Sequence, residues 1–261
     1  MKFCKYQALG NDFILIDNRQ KTFDLQPEYI SFLCNRHFGV GADGLMLVEN
    51  CDDADFKMQF FNSDGNASTM CGNGSRCIVA FARKLGIFEN ETIFKSGAGM
   101  HSAKILSENG NVFDIKVKIT DVNKIVRGDG YWFINTGVPH CVIFTDSIND
   151  VDVIGEGKTW RHSPLFPEGA NVNFVEICDN EKLKLATFER GVEDETLACG
   201  TGATASAIAV FDKLRNNVTS YEIHAKGGKL KISFDTDKMQ KDSFVNIWLQ
   251  GAATLVFEGI I

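Results

Sequence analysis

The tetrapeptide Cys-Gly-x-Gly occurs twice in this chain, beginning at Cys71 and again at Cys199, 128 residues later. Each copy follows an alternating run and a polar loop, and each opens a stretch of small and apolar residues. The two stretches are "MQFFNSDGNASTMCGNG" and "KLATFERGVEDETLACGTG". The repeated order of strand, loop, Cys-Gly-x-Gly and helix indicates an internal duplication. We therefore expect two similar halves, each built around one helix.

Short alternating runs dominate the rest of the chain, and alternation over such lengths predicts β-strands. The predicted strands are 13–18, 45–50, 56–62, 112–119, 132–137, 140–146, 171–177, 183–189, 221–226, 229–235 and 243–251. Two longer stretches, 73–85 and 201–214, are predicted to be helices, and shorter helices are expected near 27–36 and 149–155. The Gly-Gly pair at 227–228 predicts a hairpin.

Together these elements predict an α/β (α+β) fold of two pseudo-symmetric halves. Each half is expected to be a strongly bent mixed sheet around a central helix, with the active site in the cleft between the halves. A chain of 261 residues is long enough for two such units. The predicted N-terminal half is 1–120 together with a returning C-terminal strand, 252–261, and the predicted C-terminal half is 121–251.

Charge and composition exclude several classes of partner. A formal net charge of −7 argues against nucleic acid and against an anionic membrane surface. The longest apolar run is far shorter than the roughly 20 residues of a membrane span, and the first residues do not resemble a signal peptide. We expect a cytoplasmic protein whose eight cysteines remain free thiols. A homodimer is a candidate assembly.

A cysteine at the start of a helix has chemical consequences. The first N–H groups of a helix and its partial positive charge stabilise a thiolate, so the pKa of such a thiol falls below its usual value. The adjacent glycines leave the backbone amides open to an anion such as a carboxylate. One copy of the motif thus predicts a reactive sulfur beside an anion-binding site.

Two copies that face one ligand suit the inversion of a stereocentre next to a carboxylate. That reaction needs a base on one face of the carbon and an acid on the other. Two residues of the same type fit this requirement, because each serves as the base in one direction. Helix termini would stabilise the charge that develops on the carboxylate.

The motifs resemble the diaminopimelate epimerase family over essentially the whole chain. The matching segments are "ALGNDFILID" (8–17), "HFGVGADGLMLVE" (37–49), "FFNSDGNASTMCGNGSRC" (60–77), "GVPHCV" (137–142), "ANVNFV" (170–175), "FERGVEDETLACGTGATA" (188–205) and "LVFEG" (255–259). The resemblance implies an isomerase that needs neither pyridoxal phosphate nor a metal. Its implied substrate is the small molecule diaminopimelate, used in lysine and peptidoglycan precursor synthesis.

The resemblance also implies roles for individual residues. Cys71 and Cys199 match the acid/base pair. The implied substrate-binding residues are Gly72, Asn73, Gly200 and Thr201 at the reacting carboxylate, His140 and Glu189 beside the cysteines, and Asn11, Asn62, Asn171 and Arg190 elsewhere. His140 and Glu189 are expected to assist proton transfer or to bind the α-amino group, and Arg190 is suited to a bidentate grip on the distal carboxylate.

Two positions depart from the family pattern. Gly44 stands where many members have Gln, and Val138 stands where many have Asn. The change at Val138 removes a side-chain contact that is expected at the distal end of the substrate. A broader or different cofactor-independent amino acid racemase of the same fold is therefore an alternative.

Other interpretations of the motifs fit less well. The segment 200–205 matches Gly-x-Gly-x-x-Ala of a dinucleotide site, but an eight-residue acidic loop separates it from the preceding strand, and the strands that follow are expected to be antiparallel. Cys71 and Cys77 lack the spacing of a zinc pair, so no metal site is predicted. A redox sensor that joins Cys71 to Cys199 would lose only its oxidation response in a Cys71→Ser variant, whereas an epimerase would lose turnover.

Overall fold

A computed structural model describes residues 1–237, 239–240 and 242–261. Contacts divide the chain into two compact units. The first comprises Met1–Val117 with Gly251–Ile261, and the second comprises Lys118–Gln250. The limits predicted for the two halves, 1–120 with 252–261 and 121–251, stay predictions.

The sheet of the first unit closes on itself. Its elements are β1 (Lys2–Ala8), β2 (Asn11–Asp17), α1 (Pro27–Cys34), β3 (Gly44–Glu49), β4 (Phe56–Asn62), β5 (Ala67–Ser68), α2 (Gly72–Lys84), β6 (Glu91–Ser96), β7 (Gly99–Asn109), β8 (Val112–Lys118) and the C-terminal part of β17 (Phe244–Ile260). Neighbouring strands pair in the order β1–β2–β3–β4–β6–β7–β8. Residues 252–254 of β17 pair with β8 and residues 254–260 pair with β1, which completes a barrel.

Helix α2 provides much of the core of this barrel. It is buried from Gly72 to Ala82, and its apolar side chains pack against inward-facing residues of the strands. A helix surrounded by sheet has no solvent face for most of its length, which explains why the apolar run of α2 lacks a polar side.

The second unit repeats this plan. Its elements are β9 (Ile125–Arg127), β10 (Trp132–Asn135), β11 (Pro139–Thr145), a 3₁₀ turn (Ile148–Asp150), α3 (Val153–Arg161), β12 (Asn171–Ile177), β13 (Lys182–Glu189), β14 (Asp194–Thr196), α4 (Gly200–Leu214), β15 (Ser220–Ala225), β16 (Gly228–Thr236) and the first part of β17. The strands pair in the order β9–β10–β11–β12–β13–β15–β16, and β14 pairs with the end of β13. Helix α4 is buried over most of its length.

The two units share one sequence of pairings. In the first, β2–β3 is parallel, β3–β4 and β4–β5 are antiparallel, β4–β6 is parallel and β6–β7 is antiparallel. In the second, β11–β12, β12–β13, β13–β14, β13–β15 and β15–β16 follow the same order of directions. The predicted duplication and the predicted mixed α+β fold are therefore confirmed.

Most predicted elements are present, with some corrections. The helices predicted at 73–85 and 201–214 are α2 and α4, and the hairpin at 227–228 joins β15 to β16. The short helix expected near 149–155 lies later, at Val153–Arg161, because the Asp152 side chain caps it by accepting from the Gly155 N–H group. Six strands in the described part of the chain were not predicted: β1, β5, β6, β7, β9 and β14. The last of these lies in the acidic segment before Cys199, which was expected to be a loop. Among the described residues, no helix combines the length and apolar character that crossing a bilayer requires.

Candidate active site

Cys71 caps the central helix of the first unit. It has an extended backbone (φ −141°, ψ 127°), and its Sγ accepts a hydrogen bond from the Gly74 N–H group at 3.5 Å. The Ser75 N–H group donates to the Cys71 carbonyl at 2.7 Å, so the helix begins at this residue. The thiol thus occupies the position that Ser or Asp takes in many helices, at the positive end of the helix dipole.

Cys199 caps the central helix of the second unit in the same way. Its backbone is extended (φ −118°, ψ 113°), and its Sγ accepts from the Gly202 N–H group at 3.4 Å. The Thr201 hydroxyl lies 3.4 Å from the same sulfur. The repeated tetrapeptide therefore produces one repeated geometry, a thiol at a helix N-terminus.

The predicted carboxylate-binding residues lie in the first turns of these helices. Gly72 and Asn73 begin α2, and Gly200 and Thr201 begin α4. N–H groups in a first turn have no acceptor within the helix, which suits them to bind an anion. The Oδ1 atom of Asn73 accepts a hydrogen bond from the buried Arg76 guanidinium at 2.8 Å.

Close packing favours glycine at the second glycine position of each motif, a preference that the sequence pattern did not indicate. A Cβ at Gly74 would overlap the terminal methyl of Met46, and a Cβ at Gly202 would overlap Oδ1 of Asn173. The second glycines thus let core side chains approach the first helical turn, in addition to any role in exposing the amides.

Asn11 is the predicted site residue that contacts Cys71 directly. It begins β2, and its Oδ1 accepts from the Cys71 thiol at 3.5 Å. Its Nδ2 donates to a carboxylate oxygen of Asp43 at 2.7 Å, which fixes the orientation of the amide. Asp43 is anchored in turn by Arg36 at 2.7 Å. Asp43 was not singled out from the sequence, although it lies within the "GADG" segment of the family motif.

Asn62 and Gly44 form a cross-strand pair at the ends of β4 and β3. The Asn62 side chain is exposed, and its role in binding substrate stays a prediction. A Cβ at Gly44 would lie 2.6 Å from the carbonyl oxygen of Phe61. At Gly44, where many family members have Gln, β3 and β4 pack too closely to accommodate a Cβ without a shift.

His140 is fully buried in β11. Its Nδ1 lies 3.0 Å from Nδ2 of Asn173, another residue that the sequence interpretation did not select. Burial lowers the pKa of His140 to about 3, and the positive charge of Arg190 acts in the same direction. The imidazole is consequently neutral at physiological pH.

The remaining predicted residues of the second unit cluster where β12 begins and β13 ends. The Asn171 side chain accepts from the Arg190 backbone N–H group at 2.8 Å and donates to the Pro139 carbonyl at 3.4 Å. The Arg190 guanidinium donates to the Glu168 carbonyl at 2.9 Å. Burial raises the pKa of Glu189 above its ordinary value, which is common for carboxyl groups that exchange protons.

Most of the other cysteines are inert by environment. Burial raises the pKa of Cys4 and Cys34 to about 11 and that of Cys141 to about 12, and it raises the pKa of Cys77 further. Thiols of this kind stay protonated and unreactive near neutral pH. Within the described part of the chain, no three His, Cys, Asp or Glu side chains form a group that could hold a metal ion.

A family model described as diaminopimelate epimerase matches residues 3–125 and 132–256. The chain belongs to the diaminopimelate epimerase family. It is 48% identical over 263 residues to the diaminopimelate epimerase of Flavobacterium psychrophilum, with all of both chains covered. It is 40% identical to that of Aquifex aeolicus, with 99% of this chain and 97% of the relative covered.

Solved structures of other families share the fold of this diaminopimelate epimerase family member. A phenazine biosynthesis protein of the PhzF family from Bacillus anthracis matches with a TM-score of 0.76 at 16% identity, covering 100% of this chain and 99% of the other. A probable proline racemase from Agrobacterium radiobacter matches with a TM-score of 0.71 at 14% identity, covering 100% and 92%. At such low identity these likenesses concern the fold alone.

Proposed function

We propose that the chain interconverts LL- and meso-diaminopimelate without a cofactor, by proton transfer through Cys71 and Cys199. The observation that carries the proposal is the repeated helix cap: in a member of this isomerase family, each central helix begins at a cysteine whose sulfur accepts an N–H bond from its own first turn. Both sulfurs therefore lie where a thiolate is stabilised.

The proton balance of the reaction is simple. The thiolate of one cysteine removes the α-proton and becomes a thiol, and the electron pair left on carbon is delocalised into the α-carboxylate. The thiol of the other cysteine then gives its proton to the opposite face of that carbon and becomes a thiolate. Nothing is oxidised or reduced, and the reverse reaction exchanges the two roles.

Backbone amides are assigned to the carboxylate whose charge grows in the transition state. Gly72, Asn73, Gly200 and Thr201 supply first-turn N–H groups, which need not reorient during the reaction because the helices already hold them in place. Hydrogen bonds from the N–H groups of two helix termini would stabilise the delocalised carbanion more than the zwitterionic ground state, because the carboxylate carries more negative charge in the carbanion.

The other predicted residues are assigned to the two amino acid ends of the substrate. Glu189 can accept hydrogen bonds from the α-ammonium group. A neutral His140 offers an N–H donor, which suits an anionic acceptor better than an ammonium group. Arg190 is assigned to the distal carboxylate, and Asn11, Asn62 and Asn171 are assigned to other polar groups of the substrate.

A broader amino acid racemase is the second candidate, and Val138 is the observation that favours it. This half-buried apolar side chain stands where many family members carry Asn. A weaker grip on the distal end would relax the selection for a second amino acid group.

The test is proton NMR of LL-diaminopimelate in heavy water with reduced protein and no added cofactor. We expect the meso isomer to form, with deuterium at its inverted carbon, while the LL isomer that remains early in the reaction keeps its proton. That pattern is the signature of two bases, because the donor thiol carries a solvent deuteron. Incorporation of deuterium at the α-carbon of other amino acids, but not of diaminopimelate, would favour the broader amino acid racemase.

Matched variants separate the proposed thiols from the others. Cys71→Ser and Cys199→Ser are each expected to lower turnover by about 10²–10⁴-fold, the range for loss of a general acid or base. Cys178→Ser removes an exposed thiol outside the proposed site, and its turnover should equal that of wild type. Full activity of the Cys71→Ser protein under reducing conditions would contradict the mechanism. A reducing compartment such as the cytoplasm, our proposed location, would keep both thiols free.

A further inference from the structure

One nitrogen of the buried His140 ring is unused. No part of its side chain reaches solvent, and Nε2 has no hydrogen-bond partner among the residues that the structure describes. An unpaired polar atom in the interior carries an energetic cost, and native structures keep such atoms where they serve a function or where a water or an ion completes the hydrogen bond. Whether Nε2 carries the ring proton therefore determines whether His140 can donate or accept a hydrogen bond in the candidate site.

The neighbouring amide of Asn173 decides which ring nitrogen carries the proton. Nδ2 of Asn173 lies 3.1 Å from the carbonyl oxygen of Cys141, an atom that can only accept. On the opposite side, Oδ1 of Asn173 accepts from the Thr187 hydroxyl at 3.0 Å. These two contacts fix the orientation of the amide, and a flipped amide would face oxygen with oxygen.

The fixed amide presents its N–H group to the imidazole. Nδ2 of Asn173 lies 3.0 Å from Nδ1 of His140, so Nδ1 must be the unprotonated, accepting nitrogen. In a neutral ring the proton then resides on Nε2, the atom without a partner.

Asn173 also contacts the helix turn that holds the second thiol. A Cβ at Gly202 would overlap its Oδ1, so the amide packs directly against this glycine. The Gly202 N–H group donates to Cys199 Sγ at 3.4 Å. One buried amide thus adjoins both the imidazole and the turn around the thiol.

We propose that Asn173 is a positioning residue that keeps His140 in the neutral Nε2–H tautomer, so that the ring offers one N–H donor to an anionic atom of the bound substrate. The role of His140 is then that of a fixed donor and not of a proton carrier. The kinetic part of this inference rests on the proposed function, but the tautomer does not.

The tautomer is measured by long-range ¹H–¹⁵N NMR correlation on protein labelled at its five histidines, with His140→Gln used to assign the His140 signals. We expect wild-type His140 to show an unprotonated Nδ1 and a protonated Nε2, unchanged between about pH 5 and pH 8. A wild-type proton on Nδ1, or titration of the ring in this interval, would overturn the proposal whatever the protein catalyses.

Variants at Asn173 test the cause. Asn173→Asp replaces the donor by a carboxylate oxygen, so the proton should move to Nδ1. We expect kcat to fall about 100-fold with little change in KM, as when one preorganised donor is lost. Asn173→Ala removes the donor without adding charge and should give a mixture of tautomers, which keeps the test decisive if the Asp variant does not fold.

Thr187→Val is the matched control. It removes the hydroxyl from the far side of the same amide and leaves the Cys141 carbonyl to orient Nδ2. Both the tautomer and kcat should resemble wild type. An unchanged tautomer in the Asn173 variants, or an equal effect of Thr187→Val, would contradict the assignment. Absence of epimerase activity in the wild type would instead refute the proposed function and leave the NMR result standing.

Discussion

A methyl group added to the second glycine of each motif should have different effects in the two units. Gly74 and Gly202 occupy the same position, three residues after the capping cysteine. A Cβ at Gly74 would overlap the flexible end of Met46, whereas a Cβ at Gly202 would overlap Oδ1 of Asn173 and lie 3.3 Å from its Cγ. The two substitutions to Ala therefore form a matched pair.

The expected change in the free energy of unfolding depends on how easily the neighbouring side chain can move away from the added methyl group. Ala gains up to about 1 kcal/mol over Gly in a helix. Met46 can move its terminal methyl at a cost of about 0.5–1.5 kcal/mol, so Gly74→Ala should lie within about 1 kcal/mol of wild type. Asn173 is held by hydrogen bonds worth about 1 kcal/mol each, and overpacking adds about 1–3 kcal/mol. Gly202→Ala should therefore lose about 2 kcal/mol net.

Urea denaturation followed by circular dichroism measures this difference as a shift in the transition midpoint at constant slope. The His140 tautomer should also become heterogeneous in Gly202→Ala and stay uniform in Gly74→Ala. If Gly202→Ala is as stable as Gly74→Ala, the Asn173 amide is not rigidly held, and the argument from close packing fails.

Three further outcomes are expected. Because burial holds the folded pKa of His140 near 3, below its ordinary value of about 6.5, the ring stabilises the fold fully above pH 6.5 and progressively less as pH falls. Wild type should thus lose about 2 kcal/mol more than His140→Gln between pH 7 and pH 5 in urea titrations, and equal losses would refute this. Gly44→Ala should destabilise by about 1–3 kcal/mol through contact with a carbonyl oxygen of β4, so an unchanged urea midpoint would contradict the packing described. Asp43→Ala should lower kcat/KM about 10–100-fold by releasing the Asn11 amide, as loss of supporting hydrogen bonds does elsewhere. Arg36→Ala, which leaves that amide contact in place, should cost stability with a smaller loss of activity.

Local sequence pattern was sufficient to predict the two helices that begin at Cys71 and Cys199. The predicted helices began one residue from the observed starts of α2 and α4, because a capping residue followed by small residues is a local signal. Strand β1 was missed although nearly all of it is buried, since a strand packed on both faces loses its alternation. Strand β7 was missed for the opposite reason, because most of its residues are at least partly exposed.

The supporting residues of the site could not be found from pattern alone. Asn173 lies two positions after Asn171 in β12, so the shared face was predictable. That its amide would meet His140 depended on the parallel pairing of β11 with β12, which is a long-range contact. Asp43 likewise reaches Asn11 only because β2 and β3 are neighbours.

The closure of the first barrel by β17 also fixes an order of events during synthesis. Residues 252–260 supply the strand between β1 and β8, and the whole second unit is translated before them. At 5–20 residues per second the ribosome takes on the order of 10 s to make that unit. During this interval the edges of β1 and β8 lack their partner, and unpaired strand edges are prone to aggregate. The barrel of the first unit is therefore completed only after the second unit has been translated.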